Sequence, residues 1–136
     1  MSFTPIDLTF PILAVPKGRP RVFRSGVVKT PDKTVNFEAE LRWHWSQAKL
    51  PMVPRVPTFV SITCHLPLPK SLAKKKSPPI WPITKPDGDN LAKAILDSLN
   101  GFAWKDDSQV AKHECEKRYT RYSPTIRLVI KPMEAA

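Results

Sequence analysis

Acidic side chains are scarce in this chain, twelve against twenty-two lysines and arginines, yet four of them crowd into two short polar segments. The first is Lys85-Pro86-Asp87-Gly88-Asp89-Asn90-Leu91-Ala92-Lys93, and the second is Lys105-Asp106-Asp107. Residues two apart in an extended approach point the same way, so Asp87 and Asp89 can converge on one cation. Gly88 between them leaves room for a turn and for a close phosphate. Lys93 lies one helical turn beyond Asp89 and projects over the same end. Asp106 and Asp107 follow an apolar helical pattern and must return across the sheet to add a third carboxylate. An oxygen-only ligand set of this kind suits Mg²⁺, with Mn²⁺ as its substitute.

Phosphodiester hydrolysis needs these parts. A divalent cation activates water and neutralises charge on the phosphate. A lysine point charge stabilises the transition state or the leaving oxygen, the role open to Lys93. Each piece also has a purely structural reading: Asp89 as a helix cap, Lys93 pairing with Asp97, Asp106-Asp107 as an ordinary turn. Asp-x-Asp alone is a weak motif.

The net charge of +10 attracts polyanions, because each cation placed on a phosphate releases counterions. Lys17, Arg19, Arg21, Arg24, Lys74, Lys75 and Lys76 are the candidates for phosphate contacts on DNA. Phe23 and Trp81 sit in these basic loops, where they either stack on unpaired bases, wedge into branched DNA, or pack. No apolar run approaches the roughly 20 residues of a membrane span, and the first residues lack a secretion signal. Two cysteines form no disulfide framework, so a reduced, cytoplasmic setting is expected. Cys64, His65, His113 and Cys115 lack zinc spacing, and alternation puts Cys64 and His65 on opposite faces.

The elements that must position the acids can be read from periodicity and punctuation. Ile6 to Val15 reads as a strand interrupted by Pro11. Val22-Phe23 and Val27-Val28 read as a small hairpin with glycine in the turn. Thr30-Pro31 predicts a helix start with Thr30 as cap, and Phe37, Leu41, Trp45 and Ala48 define its buried stripe. Val60, Ile62, Cys64 and Leu66 alternate as the inward face of a strand. Lys70 to Lys85 has three prolines and no periodicity, and is expected to be a mobile basic loop. A second helix is expected to start at Asp89 or Asn90, with Leu91, Ala94, Ile95 and Leu99 inward and Gly101 as terminator. Gln109–Tyr119 and Thr125–Ile130 are expected to form an antiparallel hairpin around Ser123-Pro124. The sum is a single α+β domain over 1–136: a small mixed β-sheet with two principal helices.

Taken whole, Asp87-x-Asp89-Asn90-Leu91-x-Lys93-Ala94-x-x-Asp97-x-Leu99 followed by Trp104-x-Asp106-Asp107-x-Gln109-Val110 closely resembles the core signature of the RusA family of Holliday junction resolvases. Pro16-Lys17-Gly18-Arg19-Pro20-Arg21 is similar to the basic amino-terminal segment of many members. The resemblance implies a RusA-like fold and a Mg²⁺-dependent endodeoxyribonuclease that resolves four-way junctions. It places the catalytic carboxylates and metal ligands on Asp87, Asp89 and Asp107, the essential lysine on Lys93, and an additional acid on Asp106. It implies a homodimer in a bacterial or phage-infected cell, which fits the need to nick two strands related by a two-fold axis. The Lys- and Pro-rich segment before the motif departs from the family pattern. Two rival readings are a metal-dependent nuclease on other DNA structures and a non-catalytic basic DNA-binding protein.

Overall fold

β4 (Thr58–Pro67) buries every second side chain, from Thr58 through Val60, Ile62 and Cys64 to Leu66. That alternation places it in the middle of a four-stranded sheet of order β1-β6-β4-β5, formed with β1 (Ile6–Phe10), β5 (Val110–Thr120) and β6 (Thr125–Pro132). The computed structural model describes residues 2–134. β1 and β6 pair antiparallel, as do β6 and β4, whereas β4 and β5 run parallel, so the sheet is mixed. Register aligns side chains in rows across the sheet. Leu8, Leu128, Ile62 and Cys115 make one row, and Phe10, Ile126, Cys64 and Lys117 the next.

Helices α1 (Asp32–Gln47) and α3 (Gly88–Leu99) pack against each other, and α3 also lies on β5. α1 buries Thr34, Phe37, Leu41 and Trp45 along one stripe, while Trp43 points to solvent. α3 buries Leu91, Ala92, Ala94, Ile95, Ser98 and Leu99, a face broad enough to seal against both neighbours. Gly101 follows at φ 81°, a left-handed position where a side chain would be strained. At Gly18 the limit is space instead. A Cβ there would come within 2.8 Å of Thr34 Oγ1, which accepts the Gly18 N–H at 3.0 Å.

A two-stranded ribbon, β2 (Arg21–Val22) and β3 (Val28–Lys29), stands apart from the main sheet with its apolar residues exposed.

Four expectations need correction. β5 and β6 are not a hairpin, because β4 lies between them. β4 is apolar at each alternate position and takes the centre, whereas β5 carries Lys112, Glu114, Glu116 and Arg118 and belongs at an edge. α1 starts at Asp32, with Pro31 rather than Thr30 as its cap residue and no side-chain capping bond. Proline in an extended conformation (ψ 140°) sets that boundary. α3 starts at Gly88, one residue before the expected Asp89.

The segment from Lys70 to Lys85 is not a free loop. It holds a short helix α2 (Lys70–Ala73) and then docks along β5. There Tyr119 N–H donates to Ile80 O at 2.8 Å, and the Arg118 guanidinium stacks 5.0 Å from the Trp81 ring centre.

Candidate active site

Asp87 is the cap residue of α3, extended at φ −70° and ψ 139°, but its carboxylate makes no capping hydrogen bond. Its oxygens are therefore available to a ligand, and the positive end of the helix dipole favours negative charge there. Asp89 sits in the first helical turn, exposed, and Lys93 is exposed one turn further on. Among the described residues neither Asp87 nor Asp89 forms an ion pair, and Lys93 has no carboxylate within pairing distance. The Lys93–Asp97 pair does not form, because Asp97 takes Lys17 instead, at 3.2 Å.

The approach to Asp87 is fixed from the sheet. Lys117 reaches out of β5 and donates to Thr84 O at 3.0 Å and Pro86 O at 2.9 Å, on either side of the cis Lys85–Pro86 peptide. Lys17 N–H donates to Asn90 O at 3.2 Å, tying the amino-terminal segment to the same turn.

Asp107 lies elsewhere. Its backbone N–H donates to Asn100 Oδ1 at 2.9 Å, just beyond the last turn of α3. The twelve residues of that helix span about 18 Å, so Asp107 and the Asp87-Asp89 pair stand at opposite ends of it. Within one chain the expected return of the second acidic segment does not occur. Among the described residues no group of three or more His, Cys, Asp or Glu side chains could hold a metal ion.

The two acids of that segment have different environments. Asp106 Oδ1 accepts Ser108 N–H at 3.1 Å, and this backbone bond chiefly lowers its pKa. Asp107 is held above the ordinary carboxylate value, first by partial burial and then by Asp106 and Asp97 beside it. Asp107 is thus the crowded carboxylate that a cation would relieve, while Asp106 serves the turn.

The basic candidates also divide. Arg19, Arg21, Arg24, Lys74, Lys75 and Lys76 are all exposed and open to phosphates. The Lys17 ammonium is turned inward between Glu38 and Asp97, each 3.2 Å away. Burial pulls its pKa down, but hydrogen bonds and charge from the two carboxylates outweigh that and raise it. Glu38 also pairs with Arg42, which donates to Ser98 O at 2.7 Å, so the network clasps the amino-terminal segment, α1 and α3. Phe23 is half exposed on the ribbon. Cys64 is buried beside half-buried Cys115, and that neighbouring sulfur and burial push the Cys64 thiol up. His65 lies on the other face, its Nδ1 3.1 Å from Thr125 Oγ1.

A family model described as endodeoxyribonuclease RusA matches residues 11–131, which take in both acidic segments and nearly every element described. The chain belongs to the RusA endodeoxyribonuclease family. The Bacillus subtilis (strain 168) uncharacterized protein YqaN is 31% identical over 131 residues, covering 89% of this chain and 92% of that one. The α+β fold with its mixed sheet accords with RusA membership. No helix among the described residues is long and apolar enough to cross a membrane.

Two positioning residues of this RusA-family chain, Lys117 and Asn100, are not singled out by the sequence, and Asp97, expected beside Lys93, holds Lys17 instead. Lys117 had left a signal, a charged residue at an inward-facing position of β5 between Cys115 and Tyr119. Asn100 looks like an ordinary helix-end residue, and only the fold reveals its partner.

Proposed function

We propose that this chain is a Mg²⁺-dependent endonuclease that resolves four-way DNA junctions, working as a homodimer that nicks two strands. The observation that carries the reading is the unpartnered Asp87-Asp89 pair at the head of α3 with Lys93 one turn away, in a chain of the RusA family. Two oxygen donors at one end of a helix and a crowded third at the other make half-sites. A two-fold assembly that sets the head of one α3 beside the foot of its mate's brings Asp87 and Asp89 of one copy to Asp107 of the other. The donor set, three carboxylates with no sulfur or imidazole, fits Mg²⁺ and also Mn²⁺.

A bound Mg²⁺ would supply water activation and charge neutralisation at the phosphate. The protein's own contributions are positional. Asp87 and Asp89 orient the reacting group through a rigid helix start, and Lys93 offers a free ammonium to the charge that builds on the phosphate or leaving oxygen. The exposed arginines of the ribbon and Lys74–Lys76 provide sequence-blind grip on the arms.

A cleavage assay on a mobile four-way junction in Mg²⁺, beside linear duplex and flap controls, tests this reading. Symmetric nicks confined to the junction are expected, and Asp87→Asn should abolish them while binding survives or tightens. Equal cutting of plain duplex would defeat the junction assignment. A wild-type protein that never cuts branched DNA would defeat the enzyme.

A further inference from the structure

A cleft of about 640 Å³ opens beside the acidic head of α3, with Asp87 and Asn90 on its rim. It lies within the about 300–1,000 Å³ range of sites that enclose a small ligand. Its lining is mostly apolar, with Leu13, Val15, Leu66, Pro82, Pro86 and Tyr119 among the residues that form it. Lys33 and Lys85 line it as well, so a ligand with an apolar body and an anionic end matches it.

The cleft is preformed. Lys117 fixes the Thr84–Pro86 wall, Tyr119 N–H binds Ile80 O, and Lys17 N–H binds Asn90 O. None of these bonds involves the catalytic candidates, so the walls are built independently of the acids they flank.

We infer that this cleft receives one unstacked nucleotide of the strand being cut, next to its scissile phosphate at the head of α3. The inference rests on the nuclease reading above. A base offers two apolar faces to the leucine, valine and proline walls, and its phosphates lie toward the lysines. The Asn90 amide at the rim has both a donor and an acceptor for a base edge. A stacked, paired duplex is too wide to enter. Extrusion costs least where pairing is already weak, as at a branch point, so the cleft favours branched over linear DNA. Leu13, Tyr119 and Asn90 are thereby specificity residues for the nucleotide next to the cut.

The experiment scans 2-aminopurine through the positions around the branch point of a four-way junction, bound to the whole protein in Ca²⁺ so that it stays uncut. One position should brighten several-fold. Leu13→Trp, a change at a half-exposed wall residue that fills the cleft, should erase the signal and slow Mg²⁺-dependent cleavage at least tenfold while junction binding persists. Thr84→Trp fills the same space from an exposed loop and serves if Leu13→Trp does not fold. If no position brightens, or if the filled clefts leave signal and rate unchanged, the inference is overturned even where wild-type cleavage stands. A protein that brightens one position but never cuts DNA keeps the cleft and overturns the nuclease reading instead.

Discussion

Asn100 Oδ1 accepts the Asp107 backbone N–H at 2.9 Å, and this bond fixes Asp107 at the foot of α3, a full helix length from Asp87 at its head. Two acids that the motif treats as partners are therefore separated by rigid structure within each chain. In the proposed homodimer a shared cation would join them between copies, and that consequence can be measured.

Asp87→Asn and Asp107→Asn homodimers should each be inactive, yet regain nicking when mixed. One of the two sites in each mixed dimer then has Asp87, Asp89 and Asp107 intact. After random exchange, recovery should reach about a quarter of wild-type nicking, with paired cutting still absent. No recovery, with exchange confirmed by tagged chains, would place the whole site in one chain.

Asp107→Asn should also raise thermal stability in the absence of divalent metal at pH 7. Partial burial, and then the charges of Asp106 and Asp97, disfavour the Asp107 carboxylate, and a neutral amide relieves both. The gain should stay below about 1 kcal/mol because the group is largely solvated. Calorimetry should register it as about 1–3 °C in Tm. A lower Tm would mean that the carboxylate holds the turn together.

Lys17 predicts an alkaline limit to stability. Its folded pKa is raised, so the stability it contributes is fully present below the unfolded value of 10.5 and is lost as pH rises through the folded value. Lys17→Met removes the cation between Glu38 and Asp97, leaving Glu38 only Arg42, and should lower Tm at pH 7–9, with the deficit closing above pH 10.5. A deficit that does not shrink at high pH would assign the loss to packing.

Lys117→Met should slow cleavage at least tenfold with little loss of DNA affinity. The ammonium donates to two carbonyls that set the path into Asp87, and it is not placed to meet phosphate. Single-turnover rates and a junction titration separate the two effects. An equal loss in both would make Lys117 a DNA contact.

Much of this arrangement is legible before folding. The inward stripe of β4, the α1 stripe of Phe37, Leu41 and Trp45, and the apolar face of α3 all follow from periodicity, because burial selects side chains at fixed spacing. Strand order is not local in the same way. The turn after Thr120 suits a hairpin, but it bridges the width of β4 instead, since the most apolar strand gains most from two neighbours. The site residues were readable by type, Asp87, Asp89, Lys93 and Asp107. Their separation was not, because it depends on α3 remaining straight from Gly88 to Leu99 and on Asn100 capturing the next segment. Lys70–Lys85 misled because prolines erase periodicity while the backbone still finds carbonyl and ring partners on β5.

That proline-rich segment has one more effect. β5 is the last strand of its sheet, and an uncovered last strand invites another molecule to extend it. By lying along β5 and occupying the Tyr119 amide, residues that cannot themselves extend a sheet act as a selvedge against fibre growth. Replacing residues 74–83 with a short glycine-serine link should turn a well-behaved protein into one that polymerises as its concentration rises, visible by light scattering. Unchanged scattering would show that the charges of β5 suffice alone.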